Sequence, residues 1–323
     1  MRAPSRSKRN LRMRRPRWRA HRGKPPSVVA PSMPAPSPCR VYFVMARDAP
    51  VAAVFRRGPA NWWQVLRWDF AAGVLEAGAW LNGTLYPRRC TLSPDGDLLS
   101  YFALKGGGGK SPWETFHAVS RLPWVTALVA WKTFGTWTTS MAIRKDGSGS
   151  RPAGAFHGAC PDHVGFGTAW LPRHFNLTGR EDDVWQPIDA PARYLAAVPT
   201  RDIAFPDKPV VLSVAPRDGL TLVMVYRGGT YRGPAAFPCM EGAVVDYLLE
   251  SPNGELTSLD AMVANWDARG RLLVADRQGH LHIDLVRDGK LERQWEADLN
   301  TFTKASRGPS PPWARTWDER RPK

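Results

Sequence analysis

Near the C-terminal end of the chain, His280, His282 and Asp284 alternate with Leu281, Ile283 and Leu285. Successive side chains of a β-strand point to opposite faces, so this spacing puts two imidazoles and a carboxylate on one face and three aliphatic groups on the other. Such a face could ligate a metal ion or move protons, although packing alone produces the same alternation on any half-buried strand. A second group, His157, Cys160, His163 and His174 with Asp162, falls within 18 positions. Imidazole and thiolate are ligands that zinc prefers, but His-x2-Cys-x2-His in a Gly/Pro-rich stretch matches no standard zinc spacing. The sequence therefore predicts no metal site and no cofactor. His157, Cys160, His163, His280, His282 and Asp284 are the only candidates.

Acids suited to paired acid–base work are plentiful: Asp69, Asp95, Asp246, Glu250, Asp260, Asp267 and Asp276. Glycoside hydrolysis needs two of them a few ångströms apart, a distance that no sequence gives. Asp95 and Asp267 fall in turns, where Asp is favoured by backbone geometry alone. Gly106-Gly107-Gly108-Gly109-Lys110-Ser111 invites a phosphate-loop reading, but the position that must be the first glycine is Leu104. A flexible loop between strands is the better reading. No Gly-x-Ser-x-Gly, His-Glu-x-x-His or Gly-x-Gly-x-x-Gly motif occurs, which speaks against a conventional enzyme.

The elements that would position these residues are short and β-prone. Runs rich in aromatic and β-branched residues lie at 41–44, 51–55, 62–68, 98–104, 125–131, 210–214, 220–226, 243–249, 259–265, 271–275, 280–286 and 291–295. Nowhere does a helical period persist beyond about three turns, so helices should be few. Polar turns punctuate the runs. Ser93-Pro94-Asp95-Gly96 separates two apolar segments, and Ser251-Pro252-Asn253-Gly254 and Asp267-Ala268-Arg269-Gly270 repeat the pattern, predicting antiparallel strands joined by tight turns. Radial four-stranded blades of ~40–45 residues would fit about six times into the ordered length, with five or seven also compatible. A β-sandwich is the competing architecture.

Ser-Pro-Asp-Gly followed by two leucines resembles the turn of tricorn-like and WD40-like propeller repeats. The segment 54–131, with Gly78-Ala79-Trp80-Leu81-Asn82-Gly83 and Ser120-Arg121-Leu122-Pro123-Trp124, also looks like an uncharacterised bacterial protein family of propeller-like type. This resemblance implies a fold and no activity. It departs from true WD repeats because Trp68-Asp69, Trp266-Asp267 and Trp317-Asp318 are unevenly spaced and lack a preceding Gly-His pair. The fifteen tryptophans are expected mainly to fill interfaces between blades, with a stacking surface for sugars or bases as the alternative.

The organisation expected is a disordered basic Arg/Pro-rich tail at 1–40, an all-β propeller-like domain at 41–303 and a loose tail at 304–323. Residues 1–24 carry eleven Arg or Lys and no acid, leaving 34 basic against 29 acidic side chains in the rest of the chain. The net charge of +16 is thus a property of the tail, while the body is nearly balanced. Cys39, Cys90, Cys160 and Cys239 are widely spaced with no CxxC pair, as expected of free thiols in a cytoplasmic protein. The longest apolar run is far shorter than a membrane helix requires. The functional reading is an interaction or ligand-binding module, with a protein or small ligand on the propeller face and no membrane partner. Two alternatives stand beside it: a carbohydrate-active enzyme using central-channel carboxylates, and a protein that associates weakly and non-specifically with nucleic acid through its N-terminal tail.

Overall fold

The computed structural model describes residues 37–58, 61–105, 114–133, 142–143, 177–178, 185–189, 191–200, 209–227, 244–301, 309–316 and 321. Residues 1–36 of the basic tail, residues 106–113 and the group His157, Cys160, His163 and His174 lie outside them.

Four antiparallel sheets carry the core. Sheet one is a meander of β1 (Arg40–Met45), β2 (Val51–Arg57), β3 (Trp62–Asp69) and β4 (Val74–Asn82). Sheet two holds β5 (Thr84–Leu85), β6 (Thr91–Leu92), β7 (Leu98–Leu104), β8 (Thr115–Arg121) and β9 (Ala127–Thr133), with both short strands pairing along β7. A separate pair follows, β10 (Ala142–Ile143) with β11 (Leu177–Thr178). Sheet three runs in order through β12 (Gln186–Pro187), β13 (Val210–Ser213), β14 (Thr221–Arg227), β15 (Val244–Glu250) and β16 (Leu256–Leu259). The short helix α1 (Pro191–Ala196) leaves after β12. Sheet four is the meander β17 (Ala261–Trp266), β18 (Leu272–Asp276), β19 (His280–Arg287) and β20 (Lys290–Asp298).

The sheets stack face to face. One side of sheet one packs Val41, Val54, Leu66 and Trp68 against Leu273, Ala275, Leu281 and Ile283 of sheet four. Its other side packs Tyr42, Phe55, Trp63 and Val65 against Leu85, Leu99, Tyr101 and Ala118 of sheet two. The far side of sheet four meets sheet three through Trp266, Leu272, Val274 and Val286 against Leu222, Met224, Tyr226 and Tyr247. Tyr194 and Val198, on and just after α1, cover the remaining face of sheet three over Val211, Val223 and Leu248. The order in space is therefore two, one, four, three. Double-sided burial explains why β2 reads as an almost continuous apolar run, with its first six residues buried.

Serial packing of twisted meanders is the construction of a β-propeller, and the all-β propeller-like body is as the sequence predicts. The blade count is not. Four blades of four or five strands, rather than about six, form from the described residues, together with the single β10–β11 pair. Dividing length by a mean blade size assumes that the whole chain is used evenly. Between Thr133 and Val210 the described residues contribute only two-residue strands and a six-residue helix.

The predicted turns recur in detail. Gly96, Gly254 and Gly270 have φ of +77°, +84° and +79°, and each donates its N–H to the residue three before it, at 2.9, 2.8 and 3.1 Å. These turns join β6 to β7, β15 to β16 and β17 to β18. The side chains at the turn starts accept further amides: Ser93 Oγ from Leu98 N at 2.8 Å, and Asp267 Oδ1 from Arg269 N and Arg271 N at 2.9 and 2.8 Å. Several of the described tryptophans fill interfaces, Trp63 between sheets one and two and Trp266 between sheets three and four. Trp68 is fully buried and stacks on Trp295 across sheets one and four, with centroids 5.3 Å apart. Within the C-terminal stretch, Ala314 is buried, Arg121 Nε donates to Thr316 O at 3.2 Å, Thr126 Oγ1 lies 2.8 Å from Ser310 Oγ, and Arg321 pairs with Glu76 on β4.

Candidate functional site

The period-two alternation of β19 holds for Leu281 and Ile283, whereas Leu285 is only partly buried. Leu281 and Ile283 point into the dry core against sheet one, while His282, Asp284 and Val286 face sheet three. On that second face the packing is incomplete, and a cleft of about 340 Å³ opens between sheet four and β16. Its floor is Val274, Asp276, His282 and Asp284. Ser258, Leu259 and Asp260, where β16 ends and the chain enters β17, make one wall, and Leu291 and Arg293 of β20 make the other.

A turn and a bulge place Arg293. Asp288 and Gly289, with φ of +50° and +71°, form a two-residue hairpin that fixes Arg287 opposite Lys290. Positive φ at both central residues is the type I′ pattern for which Asp-Gly is suited. The register then puts Arg293 directly across from Asp284, and a bulge shifts the pairing so that Trp295 lies across from Ile283. An extra residue reverses the facing of everything beyond it. Leu291 and Arg293 consequently face the cleft, whereas Trp295 turns to the opposite side and reaches Trp68.

The polar groups at the floor are tightly connected. His282 Nδ1 lies 2.9 Å from Asp284 Oδ2, and Arg293 Nε donates to Asp284 Oδ1 at 2.5 Å. Arg293 Nη1 also donates to Glu296 at 2.8 Å. His282 and Asp284 are 7% and 4% exposed, so their pairing is shielded from water, while the Arg293 side chain is partly solvated. Burial alone would raise the Asp284 pKa; the hydrogen bonds from His282 and Arg293 outweigh it and hold the carboxyl below its usual range. Burial likewise opposes the charge on Arg293, yet its bond to Asp284 raises the guanidinium pKa. An ionised carboxylate only accepts, so His282 carries a proton on Nδ1, and in the neutral form of the ring Nε2 is the acceptor.

His280 does not join this network. Its Nδ1 lies 3.0 Å from Asp276 Oδ2, and Asp276 Oδ1 accepts the backbone N–H groups of Gln278 and His280 at 2.9 and 2.8 Å. The three-residue candidate set on β19 thus divides into an outer His280–Asp276 pair and a buried His282–Asp284 pair that the partly solvated Arg293 joins from β20. Among the described residues no set of three or more His, Cys, Asp or Glu is arranged to hold a metal ion.

The other acids have basic or amide partners. Asp246 is clasped by Arg227 and by Arg277 at 3.0 Å, and Glu250 by Arg193 at 2.8 Å and the Tyr194 hydroxyl at 3.0 Å. Asp267 and Asp95 serve their turns, and Asp69 caps the amide of Ala72 at 3.0 Å. Asp260 is the least engaged, with Arg277 at 3.8 Å and Gln278 at 3.4 Å. Sequence reasoning missed Ser258 and Arg293. Arg293 occupies a strand whose parity the bulge changes, and no local signal marks a bulge there.

Cys39 and Cys90 are free thiols. No helix among the described residues is long and apolar enough to cross a membrane.

No family model matches the sequence, and no curated protein matches it. Among solved structures the chain is similar to the WD40 domain of SCAP from fission yeast, at 11% identity and a TM-score of 0.22, over 80% of this chain and 44% of that one. The chain thus spans less than half the length of that structure. It is also similar to the periplasmic gluconolactonase PpgL of Pseudomonas aeruginosa, at 14% identity and a TM-score of 0.31, over 82% of this chain and 97% of that one. The propeller-like architecture rests on the stacking of this chain's own sheets.

Proposed function

We propose that this propeller-like module binds a small ligand or a projecting side chain in the cleft between sheets three and four. One observation carries the reading: a buried imidazole, held through Nδ1 by Asp284, lines an open cleft, and among the described residues no hydrogen bond to its other ring nitrogen is found. Interiors pack densely and buried polar groups find partners, so a polar floor beneath open space is where a ligand is recognised. The pairing of the acids favours binding over carbohydrate hydrolysis, because each carboxylate with a short contact is already engaged by a cation or an amide.

Histidine-selective ¹⁵N NMR on the full chain tests this reading against a panel of small polyols, amines, carboxylates and nucleosides. At least one class should shift the His282 resonances saturably, and His282→Phe should weaken its binding about tenfold. A panel that leaves His282 unmoved would overturn the site.

The basic N-terminal stretch supports a separate proposal. Its eleven cations in 24 residues suit sequence-independent contact with phosphates, weakening steeply with salt.

A further inference from the structure

We infer that the cleft is built for a primary alkylammonium group, an inference that rests on the cleft being the binding site. Its polar atoms are predominantly acceptors. In the neutral ring His282 Nε2 is the acceptor, because Nδ1 is directed at Asp284 at 2.9 Å. Asp260 stands on the opposite wall with its side chain 57% exposed and only long contacts, 3.8 Å to Arg277 and 3.4 Å to Gln278. Asp276 keeps one of the roughly four acceptor positions of a carboxylate after taking two backbone amides and His280. These acceptors, two on the floor and one on a wall, border one cleft, and an ammonium offers three N–H donors to them.

The charge balance selects the same group. Asp260, Asp276 and Asp284 line the cleft against the single guanidinium of Arg293, and that guanidinium is engaged by Asp284 and Glu296. An anion would meet net repulsion. A polyol would need donors as well as acceptors, and among the lining side chains only the Ser258 hydroxyl and the remaining Arg293 hydrogens supply them. Leu259, Val274 and Leu291 complete the lining with apolar surface that suits a short methylene stem. The ammonium can come from a free aliphatic amine or from a lysine side chain of another protein.

The test uses the full chain and three probes of one shape: n-pentylammonium, pentan-1-ol and pentanoate, with binding read by calorimetry and by the His282 ¹⁵N resonances. Pentylammonium should bind saturably and at least about tenfold more tightly than the other two, the difference expected of a charge-assisted bond. Asp260→Asn, at an exposed position that leaves folding intact, should weaken it about tenfold, and His282→Phe by a similar factor. A lysine-containing peptide and its acetyl-lysine counterpart separate the sources: discrimination between them points to a protein lysine, and binding of the free amine alone points to a metabolite. Pentanol or pentanoate binding as well as pentylammonium, with His282 shifting, would overturn the ammonium assignment while leaving the cleft as the site. If none of the probes or panel compounds moves His282, the cleft reading itself falls.

Discussion

The two faces of sheet four are made from the same strands and differ in what they bury. Toward sheet one, Leu273, Ala275, Leu281 and Ile283 meet Val41, Val54, Leu66 and the stacked Trp68–Trp295 pair. Toward sheet three, Leu272 and Val274 continue an apolar core, but His282, Asp284 and Arg293 replace it at one end and the surfaces part into a cleft. The first face holds the blades together by area and shape. The second gives up contact area to hold an oriented imidazole over a carboxylate. A single strand, β19, supplies both, because neighbouring side chains on a strand belong to different surfaces.

If this division is right, damage to the dry face should be paid in stability and damage to the wet face mostly in recognition. Trp68→Ala is expected to have the largest effect, about 3–5 kcal/mol in chemical denaturation, from removing a fully buried ring and its stacking partner. A loss under 1 kcal/mol would say that the two sheets do not pack there. Gly96→Val should follow at about 1–3 kcal/mol, since a Cβ at this left-handed position would meet Val51 Cβ at 3.0 Å and Ala46 Cβ at 3.3 Å in the core shared by sheets one and two.

On the wet face, Asp284→Ala should cost about 1–2 kcal/mol, moderated because Arg293 is partly in water. Asp284 also sets a pH dependence. Its folded pKa lies below the unfolded one, so its contribution is present above the usual carboxylate range and is lost as pH falls through the folded value. Asp284→Asn should flatten that acid limb of the stability profile; an unchanged limb would assign it to other carboxylates. The smallest effect is expected at Gly289, where φ is +71° and a Cβ would meet nothing within 4 Å. Gly289→Ala should cost about 1 kcal/mol from backbone strain alone. Because this turn sets the register of Arg293, a further drop in ligand affinity would show that the hairpin positions the site.

The sequence made the antiparallel character and the main turns legible, since Ser-Pro-Asp-Gly and its variants specify positive φ at one glycine and polar capping before it. Alternation also placed His282 and Asp284 on one face. What lay beyond reading were features that depend on relations between strands. β4 was not anticipated because its burial is mixed along its length, leaving no clean period. Arg293 was hidden by the bulge, which reverses its facing relative to Trp295. Asp260 and Asp276 were legible as acids, but their meeting at one cleft depends on how sheets three and four pack, a long-range outcome of core shape. Blade number escaped for the same reason that length is a weak guide: segments between blades are not uniform.

Recognition in the cleft depends most directly on the orientation of one imidazole. Long-range ¹H–¹⁵N NMR on histidine-labelled protein at neutral pH reports which ring nitrogen of His282 carries the proton. The hydrogen bond to Asp284 calls for a proton on Nδ1, so in the neutral ring Nε2 should be bare, with loss of that preference in Asp284→Asn. A proton on Nε2 with Nδ1 bare would contradict it, because the nitrogen facing the cleft would then be a donor and the acceptor-lined site would not exist.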